Sequence, residues 1–226
     1  MITKDMGNDV LCFHKDRKEY WVKVSDIVCI ERNKRTINVR LKNDNILKLN
    51  YTSLSKILQE AQNERLQRCG RSVIVNWDYV CAVDPLNHYV ILKENKGRVE
   101  LGSFYKESVL AVLAKNDNEI LLRIDNIRYV IRVEEVLYAK SSNRVLRIVL
   151  YDGREFCVSQ KPIEYILKQV KTDKLIRCAR GVLVNREYIN KIDYSEMKLI
   201  LINGLRLDIG RKYVGWWLKN SIEITK

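Results

Sequence analysis

Apolar and polar residues alternate one by one through Ile37-Asn38-Val39-Arg40-Leu41, which puts branched side chains on one face of an extended segment and leaves the other to solvent. Dense β-branched and aromatic stretches also cover residues 20–24 and 27–30, and again 129–133, 136–139 and 145–150. Asn43-Asp44-Asn45 and Asp152-Gly153-Arg154 have the composition of tight hairpin turns, after which strands are expected to resume at 46–49 and 155–158. The period then changes. Leu54, Ile57, Leu58 and Ala61 fall on one helix face behind a Thr52-Ser53 cap, and Ile163, Ile166, Leu167 and Val170 repeat that face behind Pro162, a residue suited to a first helical turn. Two further strands and a short helix, at 105–113 and 213–218, close each half of the chain.

The halves are copies of each other. Arg68-Cys69-Gly70-Arg71-Ser72-Val73-Ile74-Val75-Asn76 returns 109 residues later as Arg177-Cys178-Ala179-Arg180-Gly181-Val182-Leu183-Val184-Asn185. The same offset pairs Tyr20 with Tyr129, Arg35 with Arg144, Leu66 with Leu175 and Asp84 with Asp193, and it drops to 108 by Gly102 and Gly210. A period this long excludes a solenoid and implies two domains, expected at 1–116 and 117–226 across the polar link Lys115-Asn116-Asp117-Asn118. Each copy is long enough to bury a core of its own.

Charge adds a partner to that picture. The chain carries +13, with 20 basic against 14 acidic residues before position 117 and 21 against 14 from it onward. An excess shared by both copies suits a polyanion engaged along the whole molecule rather than a basic tail. The six cysteines form no C-x-x-C and only Cys69 and Cys178 recur, so a reducing interior is expected and both read as small buried hydrophobes. The start, MITKDMGNDV, lacks the apolar stretch of a signal peptide, and no apolar run approaches a membrane span. The expectation is a soluble, cytoplasmic protein that engages no membrane.

Catalytic chemistry finds no residues to carry it. His14 and His88 occupy unrelated positions in the two copies and have no neighbouring ligand set in sequence, and neither a phosphate-cradling glycine loop nor a nucleophile elbow occurs. No catalytic residue, metal or cofactor is therefore expected. The repeated R-C-x-R segment is the better candidate: Arg68 with Arg71, and Arg177 with Arg180, set two planar guanidinium forks in what is expected to be a loop leading into a strand. Such forks meet phosphate or the O6/N7 edge of guanine through paired hydrogen bonds. Ser72 can add a phosphate contact. The competing use is structural, one arginine of each pair bracing the domain through a carboxylate, most readily Arg68 and Arg177. Asn76 and Asn185 read as turn residues, and Tyr79, Tyr188, Trp216 and Trp217 as packing.

These residues resemble the LytTR DNA-binding domain of bacterial transcription regulators, whose pattern runs F-x-R-x-H-R-S, then I-V-N and an isoleucine, and ends near S-R and an aromatic. Here it becomes 66–72 with Ile74-Val75-Asn76 and Val80, and 175–181 with Leu183-Val184-Asn185 and Ile189. The closing motif is Gly102-Ser103-Phe104-Tyr105 in the first copy and Gly210-Arg211-Lys212-Tyr213 in the second. The family's loop histidine is replaced by Gly70 and Ala179, and its late arginine is absent from the first copy. The resemblance covers residues 18–115 and 127–220.

The resemblance implies a mainly β fold with short helices, formed by two tandem LytTR-like domains. Each would have small antiparallel sheets, a short helix mid-domain and another at its C-terminal end. It also implies double-stranded promoter DNA as partner, with one domain on each of two direct repeats and loops entering successive major grooves. On that basis the turn carrying Asn33, Lys34 and Arg35, matched by Asn143 and Arg144, would read one groove, alongside Arg68, Arg71, Ser72, Arg177 and Arg180. Arg211 and Lys212 suit the narrow minor groove, so the second copy is expected to make the richer contact. A single chain spanning two repeats as a monomer is the expected mode. The receiver domain that precedes many relatives is expected to be missing, and a protein regulator or RNA polymerase is a further candidate partner. The alternative is a degenerate LytTR-like protein-interaction module or anti-regulator.

Overall fold

The computed structural model describes residues 9–50, 53–113 and 117–220. The chain forms two compact units, Met1–Ala114 with Asp125–Tyr129, and Lys115–Ile124 with Val130–Lys226. Both are mainly antiparallel β-structure with short helices, and they repeat one plan.

The first copy runs β1 (Val10–Lys15), β2 (Lys18–Lys23), β3 (Ile27–Asn33), β4 (Thr36–Leu41), β5 (Ile46–Asn50), α1 (Leu54–Ala61), β6 (Leu66–Gly70), β7 (Val73–Asn76), β8 (Val80–Asp84), β9 (Tyr89–Leu92), β10 (Arg98–Glu100) and α2 (Lys106–Leu113). Its main sheet has the order β5-β4-β3-β7-β6. The second copy runs β11 (Glu119–Ile124), β12 (Ile127–Arg132), β13 (Val136–Ser142), β14 (Val145–Leu150), β15 (Glu155–Ser159), α3 (Glu164–Leu167), β16 (Leu175–Ala179), β17 (Val182–Asn185), β18 (Ile189–Asp193), β19 (Lys198–Leu201), β20 (Arg206–Asp208) and α4 (Val214–Asn220). Its main sheet is β15-β14-β13-β17-β16, and β18-β19-β20 form a second.

The alternation read in β4 has its physical basis here: Ile37 and Val39 are buried, while Asn38 and Arg40 are only partly covered. α1 begins where Ser53 accepts a hydrogen bond from the Lys56 amide at 3.1 Å, and it lays Leu54, Ile57 and Ala61 into a core with Ile27, Ile30 and Ile74. Each such leucine or isoleucine side chain contributes about 1.5–3 kcal/mol on burial. In the second unit Trp217 of α4 packs with Cys178, Val184, Leu199 and Leu201.

Buried asparagines tie each main sheet to the turn that follows it. Asn76 Nδ2 donates to the Val24 and Ile27 carbonyls, both at 2.8 Å, and its Oδ1 accepts from the Asp78 amide. Asn185 donates to the Val133 carbonyl at 3.1 Å and accepts from the Glu187 amide. These are the structural roles expected for both.

Three local expectations change. R-C-x-R does not lie wholly in a loop: its first three residues stay in β6 and β16, and the register shifts between Arg68 and Gly70 and between Arg177 and Ala179. Cys69 and Cys178 are fully buried, so the backbone remains in the ladder until a bulge releases it. The second mid-domain helix is a single turn, because Ile163 offers no side-chain cap and the Gln169 amide already returns to the Ile166 carbonyl. Ile163, Ile166 and Val170 are nevertheless buried. Finally, β1 pairs with β2 in a hairpin whose first strand has no clear alternation in sequence.

Candidate nucleic-acid interface

Main-chain hydrogen bonds draw three separate turns together in each unit. In the first, the Arg32 amide donates to the Ser72 carbonyl at 2.7 Å, joining the β3–β4 turn to the β6–β7 turn. The Gly102 amide donates to the Cys69 carbonyl at 2.8 Å, bringing in the single helical turn Ser103–Tyr105. The second unit repeats both links, from Ser141 to Gly181 and from Gly210 to Cys178, each at 2.7 Å. Glycine makes the second link close: a Cβ on Gly102 would meet Gly70 Cα at 3.3 Å, and one on Gly210 would meet Ala179 Cα at 3.3 Å.

The two arginines of each R-C-x-R segment then part company. Arg68 donates from Nε to the Gly70 carbonyl at 2.8 Å and from Nη2 to the Arg71 carbonyl at 2.6 Å, with its guanidinium 5.9 Å from the Tyr105 ring centroid. Arg177 donates to the Arg180 carbonyl at 3.0 Å and to Glu164 Oε1 at 2.7 Å. That bond holds the Glu164 carboxyl below the usual carboxylate range and raises the Arg177 guanidinium above its own. Both first arginines brace the turn. Arg71 and Arg180, at its tip, are exposed.

Around those tips lie the other residues expected from sequence. Asn33, Lys34, Arg35 and Ser72 are exposed in the first unit, and Asn143, Arg144, Arg211 and Lys212 in the second. Asn143 and Arg144 form a two-residue turn with φ of 51° and 63°, the left-handed pair that matches strand twist. The structure therefore clusters the three turns within each unit, which no spacing in the sequence displays.

Ser72 and Gly181 differ for a steric reason. A Cβ on Gly181 would lie 2.6 Å from the Ser141 carbonyl oxygen, so this copy cannot carry the hydroxyl without moving β13. Gly181→Ser is expected to cost about 1–3 kcal/mol. Urea unfolding measures this, and an unchanged midpoint would mean that the strand end yields freely.

Sequence reasoning passed over two features. Phe104 stands at the turn tip with 91% of its surface exposed. On the β1–β2 hairpin, His14 Nδ1 lies 3.9 Å from Cys12 Sγ and its Nε2 lies 3.3 Å from Glu19. One ligand atom from each of Cys12, His14 and Glu19 lies within 4.8 Å of the others, a spacing at which they could share a metal ion. Burial and the nearby Glu19 carboxylate push the Cys12 thiol up. Cross-strand pairing of His14 with Glu19 was the signal that could have found the cluster.

The family model for the LytTr DNA-binding domain matches residues 17–114 and again 126–216. The chain belongs to the LytTR family. It carries the DNA-binding domain twice in tandem. A solved LytTr DNA-binding domain, from a Bacillus cereus protein described as a methyl-accepting/DNA response regulator, aligns at 20% identity with a TM-score of 0.39, covering 47% of this chain and 98% of that one. No curated protein matches the chain. Among the described residues no helix is long and apolar enough to cross a membrane.

Proposed function

We propose that this chain is a cytoplasmic transcription regulator that holds promoter DNA at two direct repeats, one LytTR domain on each. The observation that carries this reading is the clustering of three turns in both units with Arg71 or Arg180 exposed at the tip of one. Arg71, Arg180, Lys34, Arg35, Arg144 and Arg211 approach the duplex. Arg68 donates to two loop carbonyls, Arg177 to one loop carbonyl and the Glu164 carboxylate, and both fix the shape that presents the others. The domain boundary at 116/117 leaves one complete set of turns on each side.

The test is a duplex titration across salt concentrations with Arg71→Ala and Arg180→Ala. A lost phosphate contact flattens the log–log salt slope by about one. A lost guanine contact costs about 1–3 kcal/mol and relaxes preference at one base pair. Arg→Lys at the same positions separates the two, because an ammonium keeps the charge and loses the fork. Unchanged affinity and slope in the double alanine variant would remove these arginines from the interface.

A further inference from the structure

Among the described residues Phe104 is the most exposed large apolar side chain, and it lies within the turn cluster of a basic domain. Its position is fixed from below. The ring meets Tyr105 edge-on at 5.5 Å and 80°, and the Arg68 guanidinium, itself tied to two loop carbonyls, lies 5.9 Å from the Tyr105 ring. The Gly102 amide binds the same turn to Cys69. An aromatic ring on so constrained a turn loses little conformational freedom when something covers it.

The surroundings select what covers it. Phe104 borders an open recess of about 650 Å³ together with Arg32, Arg71, Ser72, Glu31 and Glu100. The two carboxylates and two guanidiniums of that lining offset each other, so the recess carries no net formal charge that would select a phosphate in place of a neutral surface. A base step offers neutral, flat, apolar surface a short reach inside a charged backbone, which matches an apolar ring flanked by a cation. The second unit differs at the same turn: Arg211 and Lys212 replace Ser103 and Phe104, and Lys140 replaces Glu31. One copy presents charge where the other presents a ring.

Resting on the DNA-binding reading above, we infer that Phe104 is a wedge that enters a base step and unstacks it, so that the first unit deforms the duplex while the second grips its backbone. Apolar side chains inserted this way kink DNA by about 20–90°. Stacking of one aromatic ring on a base changes affinity by roughly 5- to 150-fold.

The experiment uses the full chain and a duplex enriched by the wild-type protein from a randomised pool. 2-Aminopurine is placed in turn along the first unit's half of the site, and bending is read by circular permutation. Wild type should raise the fluorescence of one position and bend the duplex. Phe104→Ala, an exposed substitution that leaves the core untouched, should abolish both signals and weaken binding about tenfold. Phe104→Leu should keep the bend. Phe104→Lys should lose the unstacking signal while steepening the salt dependence by about one phosphate. If Phe104→Ala binds, bends and unstacks like wild type, the wedge is wrong and the DNA-binding reading stands. If the wild-type chain enriches no duplex and binds none in a salt-dependent way, both fall together.

Discussion

Trp217→Ala is expected to lower the stability of the second unit by about 3–5 kcal/mol and to weaken its hold on DNA without touching a single turn residue. Trp217 is fully buried, and its indole fills the space between Cys178, Val184 and Leu199. Its Nε1 also donates to the Arg177 carbonyl at 3.2 Å, immediately before the bulge that releases the Arg180 tip. Truncation therefore empties a large volume and frees the strand from which the turn departs. Trp216 is the internal control. It sits edge-on to Trp217 at 5.2 Å and is 44% exposed, so Trp216→Ala should shift the same urea transition by less than half as much. Equal losses would show that α4, and not the indole beneath it, sets the stability.

Moving two direct repeats apart by half a helical turn, about 5 bp, should cost this chain about a hundredfold in affinity. If one domain holds a half-site at about 10 μM, and the covalent link supplies its neighbour at about 1 mM, the second contact gains roughly that factor. A half-turn shift puts the second repeat on the opposite side of the duplex, where the tethered domain cannot follow. Mobility-shift titration with spacings stepped through a full turn would show affinity falling and returning. Stoichiometry should remain one chain per duplex. A flat dependence on spacing, or two chains per duplex at full affinity, would mean that the domains act separately.

Much of the fold was open to reading in the sequence, because its signals are local. Asp152-Gly153 announced a turn, Ser53 announced a helix start, and the alternation at residues 37–41 announced a strand with one buried face. The duplication supplied a second copy of each element, though with weaker or different local signals. What stayed hidden was non-local. Nothing in the order of residues places Arg32 against Ser72, or Cys69 against Gly102, since those links are peptide groups that carry no side-chain label. The pairing of Arg177 with Glu164 across 13 positions is equally silent, so the bracing partner of that guanidinium had to come from coordinates. R-C-x-R was expected wholly in a loop because its charges suggest solvent, whereas Cys69 and Cys178, fully buried, keep its first three residues in the sheet. Phe104 escaped notice because the family pattern directs attention to the arginine missing beside it, and exposure cannot be judged from one aromatic in a run.

Peptide hydrogen bonds join the three turns in both units, beside side-chain contacts of Arg68 with Tyr105 and Arg177 with Tyr213, and this has an evolutionary consequence. Ser72 faces Gly181 across the duplication, Ser103 faces Arg211 and Phe104 faces Lys212, yet the same carbonyls receive the same amides in both copies. Apart from the glycines that allow close approach, the tips can be rewritten residue by residue while the frame beneath them keeps its form. In a doubled domain of this kind either copy is free to change its vocabulary of contacts with little toll on folding.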